Sequence, residues 1–190
     1  MKIILENIDS CIFEVYSDKP EELSLKSVNQ VHGNIVLDCK SKLLEADGLI
    51  CLCGKCILAI RTADCLPIAI IGKDGHALIH AGWRGLENNI LKNSEIEKIN
   101  PTHFFIGPHI SCKSYEVSEE FLEYFDRDKF EIADGKYHFS MEKEAKQQIL
   151  EMYPESLIKC SNACTFLDHR YNSYRRNKTE QRNWNILRKG

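Results

Sequence analysis

The amino-acid sequence predicts an α+β fold, a mixed α/β arrangement in which largely antiparallel sheet layers pack with helices, in a single domain over residues 1–190. Three observations predict it. A chain of 190 residues, 43% of them hydrophobic, can enclose one solid core and is short for two domains. Residues 48–80 carry four short apolar runs separated by tight turn signals, the pattern of antiparallel neighbours. Helix-period segments are grouped between and after those runs rather than alternating with each strand.

The elements follow in order. Residues 28–37 read as a strand interrupted by His32-Gly33. Strand-like runs at 48–53, 56–61, 66–71 and 76–80 are divided by Gly54-Lys55 and by Gly72-Lys73-Asp74-Gly75. Gly82-Trp83-Arg84-Gly85 then leads into a helical stretch, 86–99, with apolar residues at 86, 90, 91, 96 and 99. A short strand at 103–106 precedes Gly107-Pro108. Ser118, followed by Phe121, Leu122 and Phe125, reads as a capped helix, and 141–152 as another.

Composition excludes several classes. The longest apolar stretches, such as 66–71, are far too short to cross a bilayer. Residues 1–9 show no apolar core of a secretory signal, so the expected address is cytoplasmic. A charged fraction of 28% is ordinary for a folded domain and argues against wholesale disorder. Fibre and coiled-coil patterns are missing.

Charge is unevenly spread. The net charge is −3, yet residues 170–190 carry +6 and the remainder −9. Such a tail either touches phosphate or nucleic acid, or is a solvated basic strand. A nucleic-acid-binding module is the non-enzymatic alternative, but Tyr171, Tyr174 and Trp184 are few aromatics for a repeated basic face.

Nine cysteines, an odd number at irregular spacing and with no export signal, are expected to be reduced and mostly packed as small apolar groups. Cys51, Cys53 and Cys56 form a C-x-C-x-x-C cluster with the look of a metal knuckle. Alternation along a strand puts Cys51 and Cys53 on one face, and core packing is the reading adopted for them.

Three segments place a metal-competent residue beside a turn: Asn29-Gln30-Val31-His32-Gly33, Arg61-Thr62-Ala63-Asp64-Cys65-Leu66-Pro67 and His80-Ala81-Gly82-Trp83-Arg84-Gly85. Cys65 and His80 end two apolar runs joined by a tight turn, so they can meet at one sheet edge, with His32 joining them. Two imidazoles and a thiolate suit zinc or copper, and three protein ligands leave a position open, as in catalytic sites. Taken singly, each residue also has an ordinary reading, as a hydrogen-bonded histidine or a packed thiol.

Those segments, with Ala46-Asp47-Gly48, Ile106-Gly107-Pro108, Tyr115-Glu116-Val117, Cys164-Thr165 and Ser173-Tyr174-Arg175-Arg176, together resemble the purine nucleoside phosphorylase family that is also labelled laccase-domain polyphenol oxidase and peptidoglycan editing factor. The resemblance covers about residues 28–188. It implies a cytotoxic-necrotizing-factor-like, cysteine-hydrolase-type architecture and a metal held by His32, Cys65 and His80, with Zn2+ expected and Cu2+ as the other candidate. The N-terminal part departs from the family: only 31 residues precede His32, and 11–27 lack the usual Gly/Ser-rich stretch and Asn-containing segment. The chain also reads Arg176-Asn177-Lys178 where an acidic residue often follows the arginine pair.

The resemblance further implies phosphorolysis of adenosine, inosine and methylthioadenosine to base and (methylthio)ribose 1-phosphate, with adenosine deamination. Asp64, beside Cys65, is then a candidate proton shuttle or, equally, a capping or ligand-orienting carboxylate. Arg84, in a glycine turn before a helix, is a candidate phosphate ligand or a turn arginine stacked on Trp83; Arg175 and Arg176 are further phosphate candidates. Arg61 stands outside the motif. Seven histidines with no His-x-His pair do not provide for a multicopper cluster, and the cytidine-deaminase zinc signature is missing. The alternatives are a metal-free hydrolase with Cys65 as nucleophile and His80 as base, and an amidase editing peptidoglycan precursors. Expected partners are a small nucleoside and phosphate, with no nucleic acid and no membrane, on a monomer or small homo-oligomer.

Overall fold

The computed structural model describes residues 1–21 and 23–190. The chain forms β1 (Lys2–Ile8), β2 (Cys11–Tyr16), β3 (Leu25–Ser27), β4 (Val36–Asp38), β5 (Gly48–Cys51), β6 (Ile57–Thr62), β7 (Leu66–Gly72) and β8 (Gly75–Ala81). Then come α1 (Trp83–Glu87), α2 (Ser94–Glu97), β9 (Pro101–Ile106), β10 (Glu116–Val117), β11 (Phe130–Ala133), β12 (Lys136–Phe139), α3 (Met141–Met152), β13 (Leu157–Cys160), α4 (Tyr174–Asn177) and β14 (Asn183–Lys189).

Strand β7 explains the layering. Its Ile68 and Ile70 join a core with Leu86, Phe104, Phe139 and Ile149, whereas Ala69 and Ile71 join another with Phe13, Leu58 and Leu187. A strand covered on both faces reads as one continuous apolar run, which is what residues 66–71 show. The six-stranded sheet, in the order β13-β9-β7-β8-β5-β4, is thus a middle layer. The five-stranded sheet β1-β2-β14-β6-β3 covers one face, and α1 and α3 cover the other. Phe13 and Phe105 meet edge-on at 5.1 Å between the two sheets. A small sheet, β10-β12-β11, stands apart. This is an α+β fold of sheets with few helices, as expected.

The β7–β8 hairpin positions the site. Its antiparallel register sets Leu66 opposite Ala81 and Pro67 opposite His80, so Cys65 arrives beside the strand end that carries His80.

Several expectations are corrected. The runs at 48–53 and 56–61 do not pair with each other. The turn between them carries the chain from β5 in the middle sheet to β6 in the covering one, because β8 and β4 flank β5 while β14 and β3 flank β6. Of the expected strand at 28–37 only Val36 and Leu37 are in one, as the start of β4; residues 28–35 are a loop with a single bridge, Asn29 to Glu45. The 86–99 helix is broken: Asn89 adopts φ 55°, a left-handed conformation that asparagine tolerates, and Asn93 caps α2 by accepting from the Glu95 N–H. Its five apolar residues are nonetheless all buried. Ser118 begins a 3-10 turn, Glu119–Glu123, without a side-chain cap. The tail is no loose basic strand, since β14 is an inner strand of the covering sheet, and its Arg188, with Lys2, neutralises the buried carboxylate of Glu14 at 3.1 and 2.5 Å. Among the described residues no helix is long and apolar enough to cross a membrane.

Candidate metal centre

The site grows from Asp47, the residue before β5. Its fully buried carboxylate accepts main-chain N–H bonds from Val31 (3.3 Å), His32 (3.0 Å) and Gly33 (2.7 Å). These bonds fold the 31–33 segment into a tight turn in which His32 takes φ 59°. A second clamp lies one residue upstream, where the Gln30 amide donates to the Arg61 carbonyl (2.7 Å) and accepts from the Arg61 N–H (2.8 Å), imitating a strand pair.

Asp47 also faces His80, whose Nδ1 lies 2.8 Å from Oδ1. Burial raises the carboxyl, but His80 and the Gly33 and His32 N–H groups more than reverse it, so Asp47 stays ionised and His80 Nδ1–H donates. Nε2 is left for the cleft side, the arrangement by which a carboxylate orients a metal-binding imidazole.

The structure brings the three expected donors together. Ligand atoms of His32, Cys65 and His80 all lie within 4.8 Å of one another, and the two imidazoles meet edge-on with centroids 4.8 Å apart. His80 is buried, Cys65 half-buried and His32 exposed, which leaves one side open. Gly82 keeps the cradle clear: a Cβ there would stand 3.1 Å from Cys65 Sγ and 3.4 Å from His32 Cδ2. Two nitrogens and a sulfur of this softness, one ring pinned by a carboxylate, fit a zinc or copper ion.

Electrostatics agree with that chemistry. Burial raises the Cys65 thiol, but the charge of His80 and hydrogen bonds from both histidines bring it down to about 6. Burial lowers His80, but the Cys65 thiolate and Asp47 lift it to about 9. In the metal-free chain the pair is thiolate and imidazolium at neutral pH.

The donors open into a cleft of about 520 Å³ lined also by Arg61, Thr62, Tyr174, Glu180 and Arg182. The remaining predicted residues do not line it. Asp64, at φ 95°, turns its carboxylate to the Thr165 hydroxyl (2.7 Å) and the Arg175 N–H (2.6 Å). Arg84 is exposed and stacks on Trp83 at 4.3 Å. Arg175 reaches the Glu116 carbonyl and lies over Tyr115 at 5.0 Å. Burial, and then the nearby Cys65 thiolate, push Tyr115 up to about 12, so the phenol stays protonated beside the site. Arg176 donates to the carbonyls of Thr165, Phe166 and Tyr171, leaving its guanidinium committed to the fold.

A family model described as multi-copper polyphenol oxidoreductase laccase matches residues 6–187. The chain belongs to that family. Relatives in it include a purine nucleoside phosphorylase of Aquifex aeolicus, 35% identical over 77% of this chain and 72% of that protein. Purine nucleoside phosphorylase Cj1217c of Campylobacter jejuni is 32% identical over 93% of this chain and 76% of that protein. A similar fold is seen in Neisseria meningitidis protein NMB0706, with a TM-score of 0.82 and 21% identity over 99% of this chain and 98% of that one. YlmD from Geobacillus stearothermophilus gives 0.80 and 20% over 95% and 92%.

Two residues near the site, Asp47 and Arg182, are given no role from the sequence, and Arg61, though close to the cysteine, is set aside as outside the motif. Asp47 sits in a recognised Ala-Asp-Gly segment, but nothing in the sequence shows that one carboxylate gathers the first histidine turn and orients the second histidine. Arg61 is the penultimate residue of β6, next to the cysteine segment, and that adjacency is its signal. Arg182, just before β14, reaches the cleft only because β14 pairs with β6, a long-range fact.

Proposed function

We propose that the chain is a metal-dependent purine nucleoside enzyme that cleaves adenosine, inosine and methylthioadenosine with phosphate and also deaminates adenosine. The observation that carries this reading is the convergence of His32, Cys65 and His80 in one cleft that Arg61 and Arg182 also line. The names of the relatives from Aquifex aeolicus and Campylobacter jejuni support the substrate class.

In phosphorolysis a phosphate oxygen bonds to the ribose C1′, the C1′–N9 bond breaks, and the base leaves with that electron pair and takes up a proton. In deamination water adds at the purine C6 and the C6–N6 bond breaks to release ammonia. Bound at the donor set, Zn2+ or Cu2+ would supply Lewis acidity in the cleft. The chain's residues do the rest. Asp47 fixes the His80 tautomer and the His32 turn. The Arg61 guanidinium lies over the Trp184 ring at 5.7 Å and has no hydrogen-bond partner among the described residues, so its N–H groups can take an anion. The Tyr174 ring offers a face for a flat base. Asp64 acts as a positioning residue, tying the segment that carries Arg175 to the Cys65 turn. Arg84 and Arg175, which border Tyr115, remain phosphate candidates on that flank.

The test is incubation of the metal-loaded protein with adenosine, with and without phosphate, following adenine and inosine separately. Phosphate-dependent adenine and phosphate-independent inosine are expected. Formation of neither sinks the reading. His32→Ala or His80→Ala should abolish metal binding at this donor set and turnover together.

The thiolate–imidazolium pair of Cys65 and His80 favours a second reading, a metal-free hydrolase with Cys65 as nucleophile. Full activity after exhaustive chelation would select it.

A further inference from the structure

We propose that Cys39, Cys51, Cys53 and Cys56 hold a second metal ion, a structural zinc in an all-thiolate tetrahedron. Their four sulfurs lie within 4.8 Å of one another, with Cys51 to Cys53 at 3.4 Å and Cys53 to Cys56 at 3.8 Å. A tetrahedral site with Zn–S bonds of about 2.3 Å has sulfur–sulfur edges of about 3.8 Å. The thiols therefore already stand near the corners that an ion requires.

Cys51 joins the hydrophobic core and Cys53 and Cys56 pack against it, as expected. Core packing alone, however, does not require sulfur to lie against sulfur, as these four do. They come from separate stretches of chain. Cys39 follows the edge strand β4 and is fixed by its N–H on the Ile50 carbonyl at 2.8 Å. Cys51 ends β5. Cys53 and Cys56 bracket Gly54-Lys55, where Gly54 at φ 66° lets the chain turn tightly enough to aim two side chains at one point. The Cys56 N–H points at Cys51 Sγ from 3.4 Å, a donor suited to a sulfur bearing negative charge. Cys39 and Cys51 are buried and Cys53 and Cys56 half-buried, so an ion there would be enclosed yet reachable from one side.

Four thiolates leave no coordination position for a reactant, which marks the site as structural. Its place gives it a task. It joins β4 and β5 of the middle sheet to the crossover into β6 of the covering sheet. Asp47, which sets the His32 turn and His80, immediately precedes β5, and Cys51 ends it, four residues or about 13 Å away. The ion would pin the far end of the strand from which the first site is organised.

The test is metal analysis of the full-length protein expressed with zinc. Cys65→Ser removes the first site, and about one equivalent of zinc is expected to stay. Replacing that ion with Co2+ should give the intense sulfur-to-cobalt absorption of a tetrathiolate. Cys53→Ser with Cys56→Ser should lose this equivalent while the His32/Cys65/His80 set keeps its own. If the double variant fails to fold, the Cys65→Ser chain still decides, through its zinc content and cobalt spectrum. A Cys65→Ser chain without metal, a disulfide among the four cysteines, or a double variant with undiminished zinc would each overturn the proposal, whatever the fate of the nucleoside activity.

Discussion

Asp47 Oδ1 accepts both the His32 main-chain N–H at 3.0 Å and the His80 Nδ1–H at 2.8 Å, so one oxygen sets two of the three proposed metal donors. Asp47→Asn keeps the shape but replaces one oxygen with an NH2 that repels the N–H groups it faces. Metal affinity should fall about 10- to 100-fold. Competition against a chromogenic chelator measures it, and unchanged affinity would remove Asp47 from the site.

The charges of Cys65 and His80 give a pH signature in the metal-free chain. Cys65 is depressed, so its contribution to stability is present above the ordinary thiol range and is lost as pH falls through about 6. His80 is raised, so its contribution is present below the ordinary imidazole range and is lost as pH rises through about 9. The opposite slopes offset between those values, so the pair should leave the melting temperature nearly flat there. Reactivity behaves differently: iodoacetamide alkylation of Cys65 should climb to a plateau just above about pH 6. His80→Ala should move that inflection up toward the ordinary thiol range, and an unmoved inflection would refute the pairing.

The arginines divide by what their guanidinium groups touch. Arg61→Ala should raise KM for phosphate with little change in melting temperature. Arg176→Ala should instead lower stability by about 1–3 kcal/mol, because three carbonyls lose their donors. Steady-state kinetics with calorimetry on both variants separates the cases. Equal loss of phosphorolysis and deamination in Arg61→Ala would count against a phosphate role.

Asp64→Asn should loosen the 165–176 segment, since its Oδ1 receives the Thr165 hydroxyl and its Oδ2 the Arg175 N–H. A drop in melting temperature with an unaltered pH–rate profile is expected. Loss of one limb of that profile would make Asp64 the proton shuttle instead.

How much of this could be read in advance depended on range. The β7–β8 hairpin was legible because its turn is four residues and its strands are apolar on both faces. His32, Cys65 and His80 were legible as a set through the motifs around them, although His32 rides on a turn rather than a strand. The breaks at Asn89 and Asn93 were not, since an apolar pattern of helical period survives a left-handed residue that keeps the same side chains inward. β14 was obscured by its charges: Arg188 reads as tail until Glu14, 174 residues earlier in the chain, is seen beneath it. The partition of 48–62 between two layers was also hidden, because a tight turn looks the same whether its strands pair or part.

Because β7 and β8 lie in the innermost layer, two of the donors belong to the portion of the molecule that opens last, while His32 belongs to a surface bend held by side-chain acceptors. Ion exchange therefore need not wait for unfolding. An ion held there should leave by way of the bend, and amide exchange at Val31 to Gly33 should then track the rate at which metal leaves.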